Sequence, residues 1–150
     1  MTALQGRHSW RLQLNEFPLP ALLPRRIDVV RVGSGLGMAA LDIMRDHSCR
    51  VGFVLCCTVH QQLLVPVESG TADQWGAPHS SCDAGWTLQC LTSEPPSVCQ
   101  GRFWAYPPEA RPGSLTAARD LHHWLSMGRT VLRAPGWLPQ EPRAAVACHV

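Results

Sequence analysis

Two apolar runs, VGFVLCC (51–57) and QLLVPV (62–67), are separated only by TVHQ. Parallel neighbours need a connection of a dozen or more residues, so a link this short forces the two runs to pair antiparallel. VGFVLCC is apolar without alternation, which predicts burial on both faces. A central hairpin of this kind fixes the middle of any sheet the chain can build.

The remaining elements arrange themselves around it. IDVVRV (27–32) is β-branched and predicts a strand. Leu36 to Asp46 predicts a helix, with Leu36, Ala39, Ala40 and Ile43 at helical spacing and Met44 alongside. WRLQL (10–14) alternates and suits a short strand or an extended arm, whereas FPLPALLPRR carries three prolines and cannot be helix or central strand. Ser69 or Thr71 can cap a one-turn helix ending near Trp75. GAPHSSCDAG (76–85) and SEPPSVCQG (93–101) are loops by composition, with WTLQCL (86–91) and RFWAY (102–106) as further strands. Ser114 caps a last helix from Leu115 to about Met127, striped by Leu115, Ala118, Leu121 and Leu125, with Gly128 at its exit.

The order is β-α-β-β-β-β-α. It predicts an α+β fold, a small mostly antiparallel sheet with helices packed on one face. An N-terminal arm (1–26) precedes a single domain (27–128), and a proline-rich flexible tail (129–150) follows.

Composition narrows the function classes. All 13 basic residues are arginine and the net charge is +2, with Arg25–Arg26 the only adjacent pair, so there is no basic tract. The longest apolar run is far short of the ~20 residues a membrane span needs. The N-terminus lacks the basic, apolar and small-residue order of a secretion signal, which predicts a cytoplasmic protein and no membrane partner. Seven cysteines is an odd count, which argues for thiols packed as small hydrophobes rather than a closed disulfide framework.

Gly35-Leu36-Gly37-Met38-Ala39-Ala40 satisfies the dinucleotide fingerprint G-x-G-x-x-A between a strand and a helix. The fingerprint also wants an acidic residue about 20 positions on. No Asp or Glu occurs between Asp46 and Glu68, and the next strand enters a hairpin instead of a crossover. The glycines are therefore read as a tight strand-to-helix turn.

Metal and thiol chemistry have two candidate sets. His79, Cys82, Cys90 and Cys99 could supply four zinc ligands, although structural zinc normally takes two tight pairs and only His79-x-x-Cys82 is tight. Cys57-x-x-His60 offers a second half-site at the hairpin. The alternatives are scattered thiols, or a Cys82–Cys99 disulfide under oxidising conditions. Catalysis by Cys56 or Cys57 with His60 is disfavoured, because burial on a strand raises a thiol's pKa.

Three stretches, IDVVRVGSGLGMAALDIM, QLLVPVESGTADQW and GRFWAYPPEARPGSLT, follow one another with a leucine-rich helix after them. In this the chain, from Ile27 to about Gly128, resembles the small actinobacterial relatives of the bifunctional DNA primase/polymerase N-terminal domain, the prim-pol or archaeo-eukaryotic primase group. Active members bind catalytic metal ions through acidic residues on the first of these strands. Here Asp28 is the only acid on that strand, and Arg31 and Gly33 stand where the metal-binding pair would be sought. The resemblance therefore implies a degenerate, truncated scaffold of primase type.

The function expected is that of a non-catalytic primase/polymerase-like domain, binding single-stranded nucleic acid or a protein on an exposed sheet face. Arg31, Arg50, Arg102 and Trp104 are the candidate nucleic-acid contacts, since guanidinium groups and exposed aromatics suit phosphates and bases. The alternative for Trp75, Trp86, Phe103 and Trp104 is core filling. Two other function classes stay open: a metal-dependent nucleotidyltransferase working through Asp28, and a structural zinc-bound interaction module. No cofactor is expected beyond zinc at the cysteine loops, or Mg or Mn under the enzyme alternative.

Overall fold

A computed structural model describes residues 8–14, 23–85, 99 and 101–133. The predicted hairpin forms its centre: β3 (Val54–Cys57) pairs antiparallel with β4 (Gln62–Glu68), Leu55 opposite Leu64 and Cys57 opposite Gln62. β2 (Ile27–Gly33) lies on the far side of β4, and β6 (Arg102–Tyr106) on the far side of β3. β1 (Arg11–Gln13) and β5 (Ser80–Ala84) form the edges, giving the order β1-β6-β3-β4-β2-β5 with every pairing antiparallel. Two helices, α1 (Ser34–Asp46) and α2 (Ala118–Arg133), complete an α+β fold of the predicted class.

Alternation along the strands makes two buried layers, one on each face. Val30, Val32, Cys56, Leu63, Val65, Val67 and Phe103 pack beneath the helices against Met38, Leu41, Met44, Leu121, Trp124 and Leu125. Ile27, Val29, Phe53, Leu55, Cys57, Leu64 and Trp104 face the other way and are covered by Leu23, Ala110 and Leu115. Phe53 stacks on Tyr106 there at 4.4 Å between ring centroids. The exposed sheet face expected from the sequence is thus absent among the described residues.

The stripe of α1 differs from the one read from spacing. Gly37, Met38, Ala40, Leu41 and Met44 are buried, whereas Leu36 and Ile43 lie at the margin. The cause is Gly37: a Cβ there would lie 2.6 Å from Leu63 Cδ1 and 2.8 Å from Val32 Cγ1. The bare backbone turns toward the sheet, and the helix rolls with it.

Four further expectations are corrected. SSCDA, read as loop, is the edge strand β5, since a polar edge strand needs only one ladder partner and carries no apolar run. Residues 51–53, read as the start of a strand, lie outside β3. The last helix begins at Ala118 rather than Leu115, because Thr116 and Ala117 donate their N–H groups to Pro66 O and Arg50 O. It continues past Gly128 to Arg133, since an isolated glycine costs a helix only about 1 kcal/mol. Trp86 and the expected strand WTLQCL fall outside the described residues.

Cys56, Cys57, Cys82 and Cys99 are thiols, as the odd count suggested, but Cys49 is disulfide-bonded. No helix among the described residues is long and apolar enough to cross a membrane.

Candidate functional site

The side chain of Asp28 is held deep in the fold, on β2 and only 3% exposed. Oδ2 accepts the backbone N–H of Gly70 at 3.0 Å and of Ala72 at 2.9 Å, and Oδ1 accepts that of Gly85 at 3.2 Å. Gly70 takes φ +95°, a left-handed turn that presents both donors to one oxygen. A buried carboxylate is costly unless hydrogen-bonded, and here three backbone donors satisfy it. The residue ties the turn after β4 and the end of β5 to β2.

The other positions on that strand are equally committed. Arg31 points to the opposite face and forms an ion pair with Asp83 on β5. Gly33 ends the strand, exposed, immediately before α1.

The remaining nucleic-acid candidates do not converge. Trp104 is wholly buried in the second layer, where it fills volume and cannot stack a base. Arg102 lies opposite Cys57 on β6 and is half-buried. Arg50 is exposed, donates from Nε to Leu115 O at 3.0 Å and pairs with Glu68 at 3.2 Å.

Arg50 does border a groove of about 570 Å³, together with Glu68, Trp75, Arg119, Asp120 and His122. The Trp75 indole N–H donates to Ser80 Oγ at 2.9 Å, and its ring meets the His122 ring edge-on at 5.0 Å. His122 Nε2 accepts the Gly76 N–H at 3.3 Å, which requires that nitrogen without a proton. Sequence reasoning missed this pairing, since Trp75 and His122 are 47 positions apart and belong to different predicted elements.

A second cluster lies at the β3–β4 hairpin. His60 Nδ1 is 3.5 Å from Cys57 Sγ and 3.4 Å from Cys99 Sγ. All three donor atoms lie within 4.8 Å of one another, the one such group of histidine, cysteine or acid side chains among the described residues. The backbone N–H of His60 also donates to Cys57 Sγ at 3.4 Å. Thr58 fastens the neighbouring chain: its N–H and Oγ1 both donate to Gly101 O, at 3.4 and 3.1 Å.

The zinc set expected from the loops is not assembled as such. Cys99 joins Cys57 and His60, while His79 and Cys82 stay with β5 at the far edge of the sheet. Three strand steps separate β5 from β3, about 14 Å at ~4.8 Å per step. Cys82 packs against the helix-side core, its thiol pushed up to about 12 by burial and by the charges of Asp28 and Asp83. Cys56, next to Cys57 but facing the helices, is pushed up to about 12 by burial and then by Cys57. Cys90 lies outside the described residues.

Comparison with family models, with curated proteins and with solved structures finds no match for this chain.

Proposed function

We propose that the chain is a non-catalytic domain of primase/polymerase type that works by binding, with single-stranded nucleic acid as its ligand and a protein as the other partner this reading admits. The observation that carries it is the commitment of Asp28. A two-metal nucleotidyl transfer needs carboxylate oxygens facing a shared ion pair. The single acid on the relevant strand gives its oxygens to Gly70, Ala72 and Gly85 instead.

The groove beside α2 is the surface this reading favours. It sets Arg50 and Arg119 beside the indole of Trp75. Guanidinium groups for phosphates next to an aromatic ring for a base is the chemistry of single-strand binding. We place the domain in the cytoplasm, where the four thiols among the described residues stay reduced; the Cys49 disulfide is the feature that suits an oxidising compartment instead.

Two measurements on the full chain test the proposal. Nucleotide incorporation with Mg²⁺ or Mn²⁺ is expected to be nil, and template-dependent incorporation by the wild-type chain refutes the non-catalytic reading. Gel shifts of single-stranded oligonucleotides over a salt series are expected to weaken steeply with salt. Arg119→Ala should lower the log–log salt slope by about 0.7, the value of one single-strand phosphate contact. Binding absent at low salt, or unchanged in slope in Arg119→Ala, removes nucleic acid as the ligand of this groove.

A further inference from the structure

We propose that Cys57 Sγ, His60 Nδ1 and Cys99 Sγ are three ligands of a tetrahedral, zinc-class metal ion. The ion would clasp the β3–β4 hairpin to the segment that enters β6. This site is independent of the nucleic-acid reading, since it stands on different residues at the other end of the hairpin.

The distances fit the ion. Metal–sulfur bonds of about 2.3 Å and metal–nitrogen bonds of about 2.0 Å in a tetrahedron put sulfur and nitrogen about 3.5 Å apart. The two sulfurs stand at 3.5 and 3.4 Å from the same ring nitrogen. The tetrahedral sulfur–sulfur edge is about 3.8 Å by the same geometry, and the two sulfurs are already within 4.8 Å. A small movement of one thiol completes the triangle.

The chemistry fits as well. A ring nitrogen carries either one proton or one lone pair, so it cannot form two full hydrogen bonds to thiols as their common acceptor. A cation between the three atoms uses all of them at once. Two thiols that bind release two protons, and the resulting pair of thiolates cancels the ion's double charge, so a half-buried site stays neutral. The His60 N–H directed at Cys57 Sγ supports the thiolate form. Two sulfurs and an imidazole with no carboxylate select zinc over magnesium or calcium.

The scaffold is already in place. Cys57 ends a buried strand and His60 lies in the turn, so their relative position is fixed by the hairpin ladder. Cys99 is held nearby because Thr58 binds Gly101 O twice. Cys57 is buried while His60 and Cys99 are half-buried, which gives an ion a path from solvent.

Cobalt(II) titration of the full chain, stripped with chelator and kept reduced without a thiol reductant, tests the site. We expect one equivalent to bind, with the strong visible bands of tetrahedral cobalt and a thiolate-to-metal charge-transfer band, both abolished by one equivalent of Zn²⁺. Cys99→Ser and His60→Asn, at half-buried positions, should each weaken cobalt binding by more than the ~10–100-fold that loss of an outer-shell partner costs. Cys82→Ala should leave the spectrum intact. Zn²⁺ should raise the thermal midpoint of the wild type and not that of Cys99→Ser, whose fold is checked by circular dichroism. Weak octahedral bands, a spectrum kept in both ligand variants, or formation of a Cys57–Cys99 disulfide in place of metal uptake overturns the proposal.

Discussion

The backbone N–H of Ala72 donates to the Asp28 carboxylate at 2.9 Å, joining the 3-10 turn Thr71–Gln74 to β2 across 44 residues of chain. Gly70 shares the same oxygen and Gly85 takes the other. An asparagine keeps one carbonyl oxygen for the Gly70–Ala72 pair but sets an NH₂ group against the Gly85 N–H. Asp28→Asn should therefore cost about 2 kcal/mol, the worth of a charged hydrogen bond, and Asp28→Ala, which strands all three donors, about 4 kcal/mol. Urea unfolding midpoints at unchanged slope measure both. Equal stability of the two variants and the wild type would mean that Asp28 anchors nothing.

The glycines of GSGLG should separate by sign. A Cβ on Gly35 meets nothing within 4 Å, so Gly35→Ala should stabilise by about 0.5 kcal/mol through helix propensity alone. Gly37→Ala drives a methyl group into Leu63 and Val32 and should cost about 1–3 kcal/mol as overpacking. Thermal midpoints moving the same way in both variants would contradict the close approach at Gly37.

These residues also mark what the sequence could disclose. The hairpin was legible because two apolar runs and a four-residue link admit one arrangement. The edge strand β5 was not, because Ser80–Ala84 pairs with β2 through its backbone and has no apolar signature. Trp104 was ambiguous by alternation, since one face of RFWAY had to be chosen as core. Both faces are buried, the second one covered by Leu23 and Ala110 from segments without periodicity and by Leu115, which the spacing had assigned to the stripe of the last helix. Cys57-x-x-His60 was visible as a half-site from spacing alone. Its third partner depended on strand order, which brings β6 beside β3 and sends β5 with Cys82 to the opposite edge.

Alkaline pH should unfold the domain through Cys56. Burial, and then Cys57, push its thiol up to about 12, above the ordinary value of 9.0. The raised pKa means that the folded state favours the neutral thiol. That contribution is whole below pH ~9 and is lost as pH rises toward 12, because the unfolded chain releases its proton first. The loss reaches about 1.4 kcal/mol per pH unit for one such thiol. Cys82 shifts the same way, but half-exposed it contributes less. Urea midpoints between pH 8.5 and 10.5 should fall in the wild type and fall less in Cys56→Val, the pH values being chosen about the ~9 threshold. Parallel curves would remove Cys56 as the cause.

The sharpest steric constraint joins the sheet to the groove. A Cβ on Gly52 would stand 2.1 Å from Ser114 O, a backbone atom. Ser114 cannot retreat, because its carbonyl accepts the Phe53 N–H at 3.2 Å while the Gly52 N–H donates to Thr116 Oγ1 at 3.0 Å. Thr116 is wholly buried, and Ala117 in turn donates to Arg50 O at 3.0 Å. The strap from Ser114 to Ala117 thereby ties Arg50 to the start of α2, whose Arg119 lines the same groove. Gly52→Ala should destabilise by about 3 kcal/mol or more, since a backbone clash cannot relax by rotamer change. Thr116→Val, which only strands the Gly52 N–H, should cost about 1–3 kcal/mol. At temperatures where both variants remain folded by circular dichroism, oligonucleotide binding should fall further in Gly52→Ala than in Thr116→Val. Equal binding in the two would separate the groove from the strap and leave Arg50 positioned by Glu68 alone.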